Sequence, residues 1–200
     1  KEGVHTNHGI YFETQAHTSD LKITGIVIGA GHKRSRDEEG TATAVLYSCG
    51  RPLEEADLSN VDDWEKVGTG TLSVDTKKTL RIGTPVLVRA GTSVGLYLHT
   101  KDKCKIACDN YQKPQAFPDL TIARGQASMT ATPFEKIGAS NELQIPAGAI
   151  KYKVSSFKGS QQVDALQVPT FKPNGIQNVY VSSHNSDHPK EDLNLHDGGK

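Results

Sequence analysis

The chain has 200 residues, and its 23 Lys and Arg balance 23 Asp and Glu for a formal net charge of zero. That length is enough for one large all-β domain, or a typical domain plus a smaller one. The missing global field argues against nucleic acid and anionic membrane surfaces as partners. No apolar stretch approaches the roughly 20 residues that span a bilayer, because Leu21–Ala30 is interrupted by Lys22, Thr24 and Gly25, so no membrane insertion is expected.

In chain order, residues 1–8 read as a polar lead-in. Short period-two apolar runs separated by Gly, Pro and Asp then specify a packed antiparallel β-sandwich. Ile10–Phe12 is the first strand. Leu21–Ala30 is the second, and its adjacent Ile26, Val27 and Ile28 predict burial on both faces. Gly31–Gly40 is a charged loop, and Ala42–Ser48 is a third strand. Arg51–Asp63 is the one segment where a helix is expected, with Pro52 opening it and Glu54, Glu55 and Asp57 near its N-terminus. A strand follows from Trp64, whose glycines predict a bulge or a close backbone approach.

Leu80–Ile82, Pro85–Ala90 and Ser93–Thr100 come next, the last two read as a tight hairpin through Ala90–Thr92 with Gly91 at positive φ. Val94, Leu96 and Leu98 share one face of the last strand, and Tyr97 and His99 the other. Further strands are expected at Leu120–Ala123 and Ala127–Ala131. Pro133–Phe134 marks the end of a module covering residues 9–137. Residues 138–183 form an additional, smaller C-terminal β element or a partial second module, and 184–200 a polar tail.

The quoted elements also carry a family resemblance. Gly9–Glu13, Asp20–Ile28, Trp64–Gly70, Val86–Thr100, Asp119–Ile122 and Pro133–Phe134, in that order and spacing, resemble a jelly-roll-like β-sandwich module of secreted and surface proteins of microbes and protists. They are distantly similar to the PHR domain of large eukaryotic adaptor proteins. The resemblance covers about the first two-thirds of the chain, from Gly9 to Phe134. It implies a jelly-roll-like fold and a binding or assembly role, and carries over no catalytic residue. Gly31–Gly40 and the cysteine segment depart from the pattern.

Candidate chemistry is sparse. Cys49, Cys104 and Cys108 permit one disulfide with one thiol left over, in any of three pairings, and one oxidised pair is the expectation, with three inert thiols as the alternative. His99, Asp102 and Cys104 are the nearest local grouping for nucleophilic catalysis, although strand alternation separates the histidine from the thiol. The acid pairs Glu54–Glu55 and Asp62–Asp63 read as a charge cluster at a helix end. His5 and His8 read as a surface pair. His184, Asp187, His188, Glu191, Asp192, His196 and Asp197 in the tail have no fixed ligand spacing, so no metal and no cofactor is expected. Lys101, Lys103 and Lys105 read as protection of a strand edge. Trp64 is expected in the core, while Tyr97, Tyr111 and Phe117 are expected near loops as a shallow ligand-binding platform.

Together these features predict a non-enzymatic extracellular or cell-surface protein, structural or adhesive, that assembles with protein partners including copies of itself. The lack of an initiator Met, with Lys1 first, adds the expectation of a processed chain or a fragment. A carbohydrate- or ligand-binding module is the alternative, with a glycan as its partner, and a hydrolase is the third reading.

Overall fold

The computed structural model describes residues 5–31, 41–73, 76–102, 105–111, 114–135, 143–155, 164–170 and 178–183. Within them the chain is almost all β, in antiparallel sheets that include a curled half-barrel. The strands are β1 (His5–Asn7), β2 (Gly9–Ala16), β3 (Asp20–Ile28), β4 (Thr41–Ser48), β5 (Glu65–Ser73), β6 (Lys78–Val88), β7 (Ser93–Thr100), β8 (Ile106–Tyr111), β9 (Gln115–Ala116), β10 (Leu120–Ser128), β11 (Leu143–Pro146), β12 (Ala149–Ser155), β13 (Asp164–Thr170) and β14 (Asn178–Ser183). Among the described residues they form an eleven-stranded sheet, in the order β14-β13-β12-β3-β6-β5-β4-β7-β2-β10-β9, and a three-stranded sheet, β1-β8-β11.

The large sheet folds over on itself between β5 and β6. Their ladder is confined to Gly68↔Ile82 and Thr69↔Arg81. The glycines foreseen as a close approach supply the corner: a Cβ on Gly68 would lie 2.7 Å from the Arg81 carbonyl oxygen. Beyond it Pro85, which has no N–H to donate, lets β6 part from β5.

Folding at this corner brings the inner face of β12-β3-β6 against that of β4-β7-β2-β10. Ile23, Ile26, Leu80, Val88 and Tyr152 from one side meet Ile10, Phe12, Leu46, Leu96 and Ile122 from the other in one buried cluster. Each fully buried Leu or Ile there contributes about 1.5–3 kcal/mol relative to exposure. The small sheet seals one end. Ala30 bridges Ile106, Ala107 N–H donates to Gly29 O at 3.0 Å, and Ile106, Cys108 and Ile145 join the same core.

A bulge in β3 reconciles its sequence with a single buried face. Ladders on both sides skip Thr24, so Leu21 and Ile23 before it and Ile26 and Ile28 after it all point inward. Val27 is consequently half-buried on the outer face, which corrects the expectation of burial on both sides. Strands buried on both faces are β7, where every residue from Val94 to Thr100 is buried, and β2, where Gly9 to Thr14 are; the assignment of Val94, Leu96 and Leu98 to one face of β7 and Tyr97 and His99 to the other holds.

Several other expectations are corrected. Arg51–Asp63 forms no α-helix, only 3-10 turns at Leu53–Glu55 and Val61–Asp63. The Asp57 carboxylate accepts the Ser59 backbone N–H at 2.9 Å, competing with helix propagation between the two turns. Leu80–Ile82 and Pro85–Val88 are one strand. Gly91 does take φ 74°, but β6 and β7 are not hairpin partners, since β5 and β4 lie between them. Part of the polar lead-in is strand β1, paired with β8. β12 pairs with β3 over Ala149–Ser155, so this part of the C-terminal element is continuous with the large sheet. The loop 32–40 and the tail 184–200 lie outside the described residues.

Candidate functional site

Two outer faces of the folded sheet are built differently. On the β2-β7-β4 side, Tyr11, Tyr97 and Tyr47 form a row across three neighbouring strands, Tyr97 being in register with both others. Tyr11 and Tyr97 stack at 3.9 Å, and Trp64 meets Tyr11 edge-on at 5.4 Å. Phe134 packs on Tyr97 at 5.0 Å and on Tyr47 at 5.1 Å. With Leu53, these rings make a second buried cluster outside the sheet.

The segment 51–65 covers this cluster as a cap. Glu13, buried on β2, accepts the Leu53 N–H at 2.7 Å. The Tyr11 hydroxyl donates to Leu58 O at 2.8 Å, and Trp64 Nε1 donates to Asp57 O at 3.1 Å. Gly95 leaves room beneath it: a Cβ there would lie 2.7 Å from Cys49 Sγ and 3.0 Å from Leu53 Cδ1.

The cap's outward surface is acidic. Residues 51–65 carry Glu54, Glu55, Asp57, Asp62, Asp63 and Glu65 against Arg51 alone, six carboxylates to one cation. Arg51 is paired with Asp63. The Asp57 N–H and the Arg51 guanidinium hold the Asp63 carboxyl below the usual carboxylate range. Hydrogen bonds from the Ser59 hydroxyl and N–H do the same for Asp57. These two carboxylates therefore keep their charge further into acid.

The outer face of β12-β3-β6, on the opposite side of the core, is basic. Ladder register sets Lys153 beside Lys22 and Lys22 beside Leu87 in one row, and Lys151 and Arg81 either side of Gly25 in the next. Lys151 Nζ donates to Thr79 Oγ1 at 2.9 Å on the same face. The cations on this face of the three strands are Lys22, Arg81, Lys151 and Lys153, and Asp20 at the start of β3 is the carboxylate among them. Asp20 accepts the Ala90 N–H at 2.8 Å. Between the faces, where β5 and β6 part, runs an open groove of about 420 Å³ with Cys49, Asp62, Asp63 and Glu65 on one side and Thr84–Leu87 on the other.

Two of the three residues expected to form an aromatic platform are buried rather than at the surface. Tyr97 is fully buried in the outer cluster and Phe117 is buried in the inner core, on the other side of the sheet. The Tyr111 side chain lies outside the described residues. Strand alternation can place an aromatic on a second face, but it does not reveal that a cap covers that face. Trp64 is buried as expected.

Cys49 and Cys108 are free thiols, so no disulfide joins them, and Cys104 lies outside the described residues. Cys49 Sγ donates to Arg51 O at 3.1 Å, and burial pushes its pKa up. The Cys108 thiol sits in the core, accepting a hydrogen bond from Asn7 Nδ2 at 3.3 Å. His99 Nε2 donates to Thr130 O at 3.2 Å, while the Asp102 carboxylate accepts the Thr43 N–H, so these two serve separate contacts. His8 lies by β7, its Nδ1 3.3 Å from Thr100 O, and the side chain of His5 is outside the described set. Lys101 and Lys105 lie in the connection between β7 and β8 rather than along a strand, and Lys103 is not described. Among the described residues no group of three or more His, Cys, Asp or Glu side chains is arranged to hold a metal ion; the tail residues are not among them.

Sequence reasoning missed Glu13, Tyr11, Tyr47, Gly95 and Phe134. The available signal was β2 itself, whose Tyr11 and Glu13 alternate with Ile10 and Phe12 as on a strand covered from both sides. No family model, curated protein or solved structure matches the chain.

Proposed function

We propose that this chain is a non-enzymatic structural or adhesive module of jelly-roll type, acting outside the cell or at its surface and assembling with copies of itself. The nested pairs β4–β5, β3–β6 and β2–β7, joined laterally through β4–β7 and β3–β12, support the jelly-roll reading and with it the PHR-like resemblance. The extracellular setting rests on that resemblance. Burial of His99 under Thr130 and the placement of Cys49 against two carbonyl groups favour structural roles for both.

The observation that carries the assembly reading is the segregation of charge. A chain with zero net charge presents an acidic cap on one side of its core and a basic sheet face on the other. A neutral chain with interspersed charges has no reason to self-associate electrostatically, whereas one with opposed faces does. Sedimentation velocity and negative-stain imaging over a concentration series at low salt test this. Oligomers or filaments growing with concentration are the expected result; monomers throughout would end the proposal.

A further inference from the structure

We infer that the outer face of β3, β6 and β12 is a docking surface for the acidic cap of a second copy of this chain, giving an open head-to-tail stack. The inference rests on the assembly reading and specifies its contact. Lys22 and Lys153 are direct cross-strand neighbours, which sets two cationic side chains side by side in one row. Lys151 and Arg81 extend the positive field across the next row. An anionic surface laid over these rows complements that field, and the cap of another copy is such a surface.

The apolar side chains agree with the charges. Among the described residues the exposed large hydrophobics are Val61, Leu87 and Met129, at 56%, 43% and 62% exposure. Val61 sits in the cap beside Asp62 and Leu87 sits in the row of Lys22, so each charged face carries one exposed aliphatic. An apolar contact inside a charged rim is the usual anatomy of a specific interface.

The geometry also decides the kind of assembly. The two faces lie on opposite sides of one core, so a rigid pair of copies cannot satisfy both contacts at once. The contact is heterologous and leaves a free acidic face at one end and a free basic face at the other, which propagates.

Two charge-reversed proteins test the assignment: Arg81→Glu with Lys153→Glu, and Glu55→Lys with Asp62→Lys. All four positions are exposed. Each double variant alone is expected to self-associate at least about tenfold more weakly than the unaltered chain, because like charges then face each other. An equimolar mixture of the two is expected to co-assemble, since one offers acidic faces and the other basic ones. Raising salt from about 0.01 M to about 1 M shortens the screening length from about 30 Å to about 3 Å and is expected to dissolve the stacks.

Thermal melts of both variants check that they fold, and Leu87→Ser and Val61→Ser give a second pair that leaves charge unchanged, each expected to weaken association. If the unaltered chain assembles and both reversals assemble equally well, this contact is wrong while the assembly reading stands. Folded variants that stay apart when mixed also overturn the contact. If the unaltered chain remains monomeric at low salt, the assembly reading itself fails.

Discussion

Tyr11 of β2 and Tyr97 of β7 are cross-strand partners whose rings lie 3.9 Å apart and within 3° of parallel. Their contact fixes the cap, because Tyr11 also holds Leu58 O through its hydroxyl. Truncating Tyr97 to Ala removes the ring that touches Tyr11, Tyr47, Trp64 and Phe134 together. A loss of about 3–5 kcal/mol in urea unfolding is expected. Tyr11→Phe keeps the stack and removes one hydrogen bond, for about 1 kcal/mol. A smaller loss from Tyr97→Ala than from Tyr11→Phe would show that the cluster contributes little.

Buried Tyr11 and Tyr152 predict an alkaline limit. Burial, reinforced by Tyr97, raises the Tyr11 pKa far above its ordinary 10.0, and burial raises Tyr152 as well. Both groups bind their protons more tightly folded than unfolded, so their stabilisation is complete below pH 10 and is lost as pH rises through and beyond that value. Phenolate absorbance should therefore show these two tyrosines ionising only with cooperative unfolding. Smooth titration of all the tyrosines near pH 10 in a folded chain would contradict their burial.

Glu13 is a buried carboxylate with one evident task, accepting the Leu53 N–H. Glu13→Ala leaves that donor unsatisfied beneath the cap and is expected to cost about 1–3 kcal/mol. Glu13→Gln retains an acceptor of similar reach and should recover part of that loss. Hydrogen exchange at Leu53 is the direct readout: it should accelerate in the Ala variant, and unchanged protection there would remove Glu13 from the account.

The strands were legible because one side of each packs on a core, and that imposes period two on residues such as Val94, Leu96 and Leu98. Features made by distant segments were not. The irregularity at Thr24 is set by both neighbours at once, since β12 passes from Lys151 to Tyr152 and β6 from Arg81 to Val86 across it, and nothing local in Ile23–Gly25 encodes both partners. Gly91 reads as a hairpin turn from its neighbours alone, yet pairing of β6 with β3 and of β7 with β2 and β4 separates its strands. Tyr97 looks like a surface aromatic until the cap, thirty or more residues earlier in sequence, is laid over it. The charged faces were hidden for the same reason. Lys22 and Lys153 become neighbours only through the pairing of β3 with β12.

His99 predicts an acid limit. Burial lowers its pKa below the ordinary 6.5; the Thr130 carbonyl opposes this, and His8 and Lys101 add to it. The folded chain thus binds this proton less readily than the unfolded chain. The stabilisation is present above pH 6.5 and is lost as pH falls through that value toward the lower folded pKa. Stability measured from pH 8 to 5 should decline, and His99→Gln should flatten the part of the decline that lies near pH 6. An unaltered decline in the variant would assign the effect to other groups.

Phe134 adopts φ 65°, a left-handed backbone that a bulky side chain rarely takes, while its ring fills the space between Tyr47 and Tyr97. The ring contacts offset a backbone cost of about 1–2 kcal/mol. Phe134→Ala loses the contacts and keeps the backbone cost, and a loss of about 3–5 kcal/mol is expected. Phe134→Gly loses the same contacts but relieves the backbone, partly countered by about 0.4–1 kcal/mol of added freedom in the unfolded chain. Glycine should therefore be no worse than alanine here, the reverse of their order in an ordinary strand. Parallel urea titrations of the two variants decide it: a glycine variant less stable than the alanine variant by 1 kcal/mol or more would mean that the left-handed turn at Phe134 carries no strain.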